Sequence, residues 1–419
     1  MGLDMIARTL ATKRTQPADT QLLRAARWAL YATVAALPLY VVRWHYGPLP
    51  TTLLETLILI TVALYAVARW RDGIRRPILT SYEIAILALL AAAAISILVA
   101  RDHRGALGLY RAYFVEPVLL FYVAVDLLRG VEHVKRLILA FAAGSSAFAI
   151  LNLAVFLQAL LAHAVHVGAA PNALYGDANY VAMYLEPPVA LAAGLLLLGP
   201  SRKWRLIGGL WLVVCGSALV VMFSKGSYLA LAFLAVAVLI TVPRWRIPLI
   251  GAVVVAALAS TQIPLFMARL ATIPSSLNGR EQIFGSALGM IRDHPLFGLG
   301  LGGYSYLFRN AAPEVYPHDM WLTFWVEIGV VGVIAFAVIL FSLQWRGWRA
   351  WPKSDGFYCS LLWGVLGALL LWTVHGVVDS PYWKNDMSAE FWVVAALQVV
   401  SVWAILRRSD AAQEAAVPK

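Results

Sequence analysis

Long apolar runs separated by short polar connections dominate the chain. Twelve such runs stand out, at 27–43, 51–69, 83–100, 107–128, 137–162, 179–198, 205–223, 227–243, 247–263, 319–343, 357–377 and 388–406. A membrane-crossing helix needs ~20 mostly apolar residues, and these runs meet or approach that length. The pattern predicts an all-α, polytopic integral membrane protein with about twelve transmembrane helices. One polar interruption is far longer than the others and precedes the tenth run. The chain therefore divides into an N-terminal segment at 1–26, nine helices within 27–263, a large loop at 264–317, three helices within 318–406 and a tail at 407–419.

The large loop has a pattern of its own. Ile283, Phe284, Ala287, Leu288 and Ile291 recur at helical spacing, and Pro295 ends the run. Asn278 with Glu281 three residues later has the form of a capping box. These features predict an amphipathic helix lying along the membrane surface. Arg280 then falls in its first turn, where free backbone N–H groups and the helix dipole also favour an anion.

Composition agrees with a membrane protein. Of 419 residues, 61% are hydrophobic and 13% charged, and the mean hydropathy is +0.76, which excludes an ordinary soluble domain. Cys215 and Cys359 both lie inside apolar runs and are read as core residues without a disulfide or metal role. The first two dozen residues are polar and basic, with no apolar stretch of the kind a cleavable signal peptide needs.

The net charge of +11 would suit a nucleic-acid partner, but its distribution points elsewhere. On one side of the predicted topology lie Arg8, Lys13, Arg14, Arg24, Arg27, Arg69, Arg71, Arg75, Arg76 and the basic clusters near 129–136, 202–205, 244–246, 346–353 and 407–419. That side holds 23 of the 33 lysines and arginines. Positive residues mark the cytoplasmic side, so both termini are expected there, and no nucleic-acid role is needed. The 264–317 loop then faces outward, as does the loop at 163–178.

Ionisable residues inside membrane spans are costly and usually functional. Here they gather, with the polar Asn179 and Asn385, at the outer ends of the even-numbered spans: Arg111 and Glu116; Glu186; Lys225; His318, Asp319 and Glu327; Lys384, Asp386 and Glu390. The set predicts a polar cavity opening outward. Arg280 and Lys225 suit an anionic group, and Arg280 can grip phosphate bidentately. His318, at the start of a span, suits a general base. Gly298, Gly300 and Gly303 formally match G-x-G-x-x-G, but no βαβ unit surrounds them, so the glycines are read as a tight turn near ligand or a neighbouring helix. No zinc motif and no D-x-D motif is present, and neither a metal nor another cofactor is expected.

These residues resemble the O-antigen ligase family, whose signature region is shared with O-antigen polymerases. The resemblance is carried by Gly298-Leu299-Gly300-Leu301-Gly302-Gly303-Tyr304 followed by His318-Asp319, by the stretch Arg111 to Pro117, by Asp177-Ala178-Asn179-Tyr180 and by Phe223-Ser224-Lys225-Gly226. Two departures stand out. The family usually has Arg where Lys225 stands, which keeps the charge and loses the guanidinium fork, and Asn commonly follows the His where this chain has Asp319. The resemblance implies a glycosyltransferase of the bacterial inner membrane with its active site facing the periplasm. The implied donor is an O-antigen polysaccharide on undecaprenyl diphosphate, and the implied acceptor a sugar hydroxyl of lipid A–core. His318, Arg280 and Lys225 would be catalytic. Arg111, Glu116, Asn179, Gly300, Gly302, Tyr304, Asp319, Asp379 and Asp386 would contact substrate or orient the histidine.

Three other readings compete. An O-antigen polymerase would share nearly all these features. A protein O-oligosaccharyltransferase usually carries an extra C-terminal region, and here only about a dozen residues follow the last run. A transporter of an anionic lipid or solute should show inverted repeats and polar groups near the midplane. This chain shows no convincing repeat, and its polar groups lie toward one face.

Overall fold

A computed structural model describes residues 20–47, 49–73, 78–166, 168–307 and 316–416. Of the basic residues used above, Arg8, Lys13, Arg14, Arg75, Arg76 and Lys419 lie outside the described residues. The described chain is almost entirely helical. Its helices are α1 (Gln21–Ala35), α2 (Leu53–Arg71), α3 (Glu83–Val99), α4 (His103–Leu127), α5 (Val131–Leu161), α6 (Ala178–Leu198), α7 (Arg202–Val221), α8 (Lys225–Thr241), α9 (Arg246–Thr261), α10 (Pro264–Ala271), α11 (Ile273–Asp293), α12 (Gly303–Leu307), α13 (Met320–Ala350), α14 (Gly356–His375) and α15 (Asn385–Ala416). One short antiparallel hairpin, β1 (Arg43–Tyr46) with β2 (Leu49–Thr52), joins α1 to α2. No strand signal was read there from the sequence.

Each predicted apolar run contains a described helix. Among the described residues nine helices are long and apolar enough to cross a membrane, while α3 and α8 are apolar but shorter. The run predicted at 27–43 is α1 followed by a 3-10 turn at Leu37–Val41, where Pro38 interrupts the helical hydrogen bonding.

Helices α6, α14 and α15 form the centre of the bundle, with most of their spans buried by protein. In a lipid environment helices associate through close packing rather than through exclusion of water, and α6 and α14 show this. A Cβ on Gly194 of α6 would lie 2.4 Å from the Ser360 carbonyl of α14. By contrast, α9 has no buried residue and lies at the flank, with Ile247, Val255 and Leu258 turned outward. Pro187 and Pro188 sit inside α6 and remove two amide donors from its ladder, directly after Glu186.

Local sequence sets several helix ends. Thr52 and Glu55 form a complete capping box at the start of α2. Asp319 caps α13 by accepting from the Leu322 N–H at 2.8 Å. The large loop departs from expectation. Its long helix α11 begins at Ile273, five residues before Asn278, with a proline at its first turn. Asn278 is therefore inside the helix and not its cap, and Arg280 lies two turns in, away from the N-terminal amides. Pro274 explains the early start, because its fixed φ suits a first turn.

Candidate active site

The densest polar cluster forms where the start of α13, the turn after α14 and the starts of α6 and α8 meet. His318 precedes α13 with φ of 52°, a left-handed backbone that a branched-out side chain adopts at a cost. This turn aims its ring at Asp379, and Nδ1 lies 3.2 Å from Asp379 Oδ1. Asp379 also accepts from the Ser380 N–H at 2.8 Å and from the Asn179 side-chain amide. Ser224 Oγ in turn donates to Asn179 Oδ1. Phe223, just before it, is again left-handed at φ of 53°. One hydrogen-bonded chain therefore runs from α8 through α6 to the histidine.

Two contacts fix the entry of α13 against the turn after α14. The Met320 N–H donates to the Gly376 carbonyl at 2.7 Å, and Thr323 and Ser380 hydroxyls are 2.8 Å apart. Burial pushes the Asp379 carboxyl up, but the hydrogen bond and charge of His318, the charge of His375 and the Ser380 amide outweigh it and hold it below the usual range. An ionised Asp379 favours the imidazole tautomer with its proton on Nδ1, which places the basic lone pair on Nε2. Such an imidazole can take a proton from a hydroxyl.

Cations border this cluster. Lys225 is the first residue of α8, and its Nζ donates to the Thr272 carbonyl at 2.8 Å. Arg269 on α10 donates from Nε to the Phe223 carbonyl at 2.8 Å. Both Arg269 and Arg280 act electrostatically on Lys225, and Arg280 acts on Asp319. Three positive side chains from α8, α10 and α11 thus share one neighbourhood. A cleft of about 200 Å³ opens beside them, lined by Asp177, Asn179, Ser224 and Arg269 among others. Such a set can bind an anion and stabilise charge developing on it.

An aromatic wall leads away from the histidine. Tyr316 lies 5.3 Å from the His318 ring and 6.3 Å from Tyr180. Behind it, Lys384 Nζ sits 3.8 Å from the Tyr180 ring centre, 4.4 Å from Tyr175 and 4.9 Å from Tyr40. Burial pushes the Lys384 ammonium down to about 8, against the opposing charge of Asp386. The tyrosine faces replace part of its hydration.

Of the residues singled out from the sequence, His318, Asp379 and Asn179 are in direct contact, and Lys225 and Arg280 lie at their border. Asp319 is a helix cap, and burial pushes its carboxyl up to about 6 against the amides of Leu322 and Trp321 and the charge of Arg280. Arg111 and Glu116 are elsewhere: Arg111 is 2.7 Å from Glu55 and 3.2 Å from Glu116, and Asn385 donates to Glu55 at 2.7 Å. Asp386 accepts from the Tyr175 hydroxyl. Glu55 thus ties α2 to α4 and α15, and Asp386 ties α15 to the loop before α6.

The glycine stretch also has a packing role where ligand contact was expected. α13 breaks at Gly329, whose φ is 75°. The stretch inserts at that break: Leu299 N–H donates to the Val326 carbonyl at 2.6 Å and Val330 N–H to the Pro295 carbonyl at 3.1 Å. Glu327 accepts from the amides of Gly302 and Tyr304. A Cβ on Gly300 would meet Ala100 at 2.5 Å, and Tyr304 is fully buried. A carboxylate in mid-helix needs donors, and this turn supplies them. Gly300, Gly302 and Tyr304 thus serve Glu327 and the broken helix. The outward polar cavity expected to hold Glu186 and Glu327 is accordingly divided into paired locks, with Glu186 2.6 Å from His375 Nδ1.

Sequence reading missed Glu55, Arg269, Tyr316 and His375. Glu55 and His375 are lone ionisable groups at the ends of apolar runs, and the cost of burying charge would have flagged both. Arg269 and Tyr316 carry no comparable local signal. Among the described residues no group of three or more His, Cys, Asp or Glu side chains is arranged to hold a metal ion.

Comparison with curated proteins finds no match. A protein-family model described as O-antigen ligase matches residues 209–337. The matched stretch runs from within α7 to within α13, and includes Lys225, Arg269, Arg280, the glycine turn and His318. The family that these residues resemble in the sequence is thus the one whose model matches the chain, over residues 209–337.

Proposed function

We propose that this protein is an O-antigen ligase. It transfers a polysaccharide from undecaprenyl diphosphate to a sugar hydroxyl of lipid A–core, at the periplasmic face of a bacterial inner membrane. Twelve helices cross the membrane and both termini are cytoplasmic. The observation that carries this reading is the His318–Asp379 pair bordered by Lys225, Arg269 and Arg280. A base for a hydroxyl and a cationic seat for a diphosphate are the two parts such a transfer needs.

In the proposed step the acceptor hydroxyl oxygen attacks the anomeric carbon of the donor. Its proton passes to His318 Nε2, and Asp379 stabilises the imidazolium. The bond from the anomeric carbon to the diphosphate oxygen breaks, and undecaprenyl diphosphate leaves with the electron pair. Arg280, Lys225 and Arg269 stabilise that charge. Attack opposite the leaving group inverts the anomeric centre. The donor's diphosphate bond supplies the driving force, so no ATP is needed, and Arg280, Lys225 and Arg269 carry the charge stabilisation without a metal ion.

Reconstitution tests this. Purified protein is combined with the lipid-linked polysaccharide and lipid A–core in the presence of EDTA, and the products are resolved on a gel. The expected result is a ladder of glycosylated lipid A–core that falls at least 100-fold in His318→Ala. Elongation of the lipid-linked donor with no transfer to the acceptor would instead make the protein a polymerase. Near-normal transfer by both His318→Ala and Arg280→Ala would sink the mechanism.

A further inference from the structure

At the end of the bundle opposite His318, a cavity of about 260 Å³ is lined by Arg129, Gly130, Tyr358, Arg407 and Arg408 among others. These residues come from three distant parts of the chain. Arg129 follows α4, Tyr358 opens α14, and Arg407 and Arg408 lie near the end of α15. Positive residues are common at this end of a membrane protein, but that bias does not require three guanidiniums to line one cavity.

Their partners do not balance them. Asp126 is shared between Arg129 and Arg69, the second at 3.5 Å. Arg408 meets Asp355 at 2.8 Å in an exposed pair, which is worth little. Among the described residues no carboxylate pairs with Arg407, and Arg129 acts on it as a like charge. Among the described residues, the carboxylates paired with the three guanidiniums that line the cavity are Asp126 and Asp355. Helix α5 also starts at this cavity, and its cap residue, Gly130, has no side chain to satisfy the first-turn amides. Val131 and Ala404 add apolar wall.

We propose that this cavity binds the phosphate of an anionic phospholipid headgroup. Arg407 and Arg129 grip the phosphate oxygens, Arg408 and the amides at the start of α5 complete the seat, and the acyl chains follow the bundle surface. Arginine forks match phosphate oxygens, and basic pockets between helices at the membrane boundary suit lipid phosphates. The volume is several times the ~30 Å³ share of one water molecule, so a headgroup phosphate has room. This site is separate from the transfer chemistry and stands without it.

The test uses the full chain, delipidated in a neutral detergent. Phosphatidylglycerol, phosphatidylcholine or inorganic phosphate is added at equal phosphate concentration, and bound lipid is counted by native mass spectrometry alongside Tm. Wild type is expected to retain phosphatidylglycerol and rise in Tm, with no response to phosphatidylcholine. Arg407→Gln leaves the Asp126 and Asp355 pairs intact, so it should fold. It is expected to weaken binding about fivefold, the loss for one membrane-surface charge of ~1 kcal/mol. Arg246→Gln, an arginine outside the cavity, should bind as wild type does. An equal response to inorganic phosphate alone would keep the site and make free phosphate its ligand. Equal phosphatidylglycerol binding by wild type and Arg407→Gln, or none by wild type, would overturn the proposal.

Discussion

A single residue in this site often has a role its neighbours set. Asp319 was read as a substrate contact, yet it caps α13 and is buried. Burial places its carboxyl at about 6, above the ordinary 3.8. The folded state therefore disfavours the ionised form more than the unfolded chain does. The stability of the neutral acid is present below pH 3.8 and is lost as pH rises through about 6. Asp319→Asn keeps an acceptor for the Leu322 amide and cannot ionise. Its Tm relative to wild type is expected to rise between about pH 4 and about pH 7.5, by the equivalent of at most about 3 kcal/mol. Thermal unfolding at the two pH values checks this, and a constant difference would remove burial as the cause. His318 and Asp379 show the same principle from the other side. Both types were visible in the sequence, but their pairing joins residues 61 positions apart.

Between elements, glycine and proline decide more than propensity does. α13 reads as one apolar run, yet it breaks at Gly329, where a Cβ would lie 2.1 Å from the Leu296 carbonyl. The break admits the glycine turn and the donors that Glu327 needs. Gly329→Val would combine a left-handed φ with a β-branched side chain and a backbone clash. It is expected to cost about 3 kcal/mol or more, read as a large drop in Tm and loss of the monodisperse peak on size exclusion. Gly285→Ala, where nothing lies within 4 Å, should be neutral or stabilising by up to about 1 kcal/mol. Similar behaviour of the two variants would contradict the packing assigned to the turn. The start of α11 teaches a related lesson. Asn278 and Glu281 satisfied a capping pattern, but Pro274 offered an earlier start, and once a helix is nucleated, extension through Asn278 costs little.

For the molecule as a whole, the proposed orientation follows from charge bias. It predicts that a cysteine replacing Ala164, exposed in the α5–α6 loop, reacts with a membrane-impermeant maleimide in intact cells. A cysteine replacing Lys203, at the start of α7, should react only after permeabilisation. Cys215 is buried, and a Cys359→Ser background removes the other native thiol. The reverse pattern would put the His318 cluster at the cytoplasmic face and exclude a periplasmic transferase. Within the bundle, buried carboxylates serve two ends. Glu55, Glu186 and Glu327 join helices, whereas Asp379 directs a histidine.

The sequence by itself determined the helical membrane class, the positions of the apolar runs, the cationic bias and the residue types able to perform transfer chemistry. Those follow from local hydropathy and side-chain identity, which need no neighbours. Only the tertiary structure decided which charges are spent on locking helices and which meet at a site. It joined Arg111 to Glu55, enclosed Glu327 in the glycine turn and brought Asn179 and Asp379 to His318. The reason is physical: a buried charge must find a partner wherever packing places one, and that partner is usually far away in the chain.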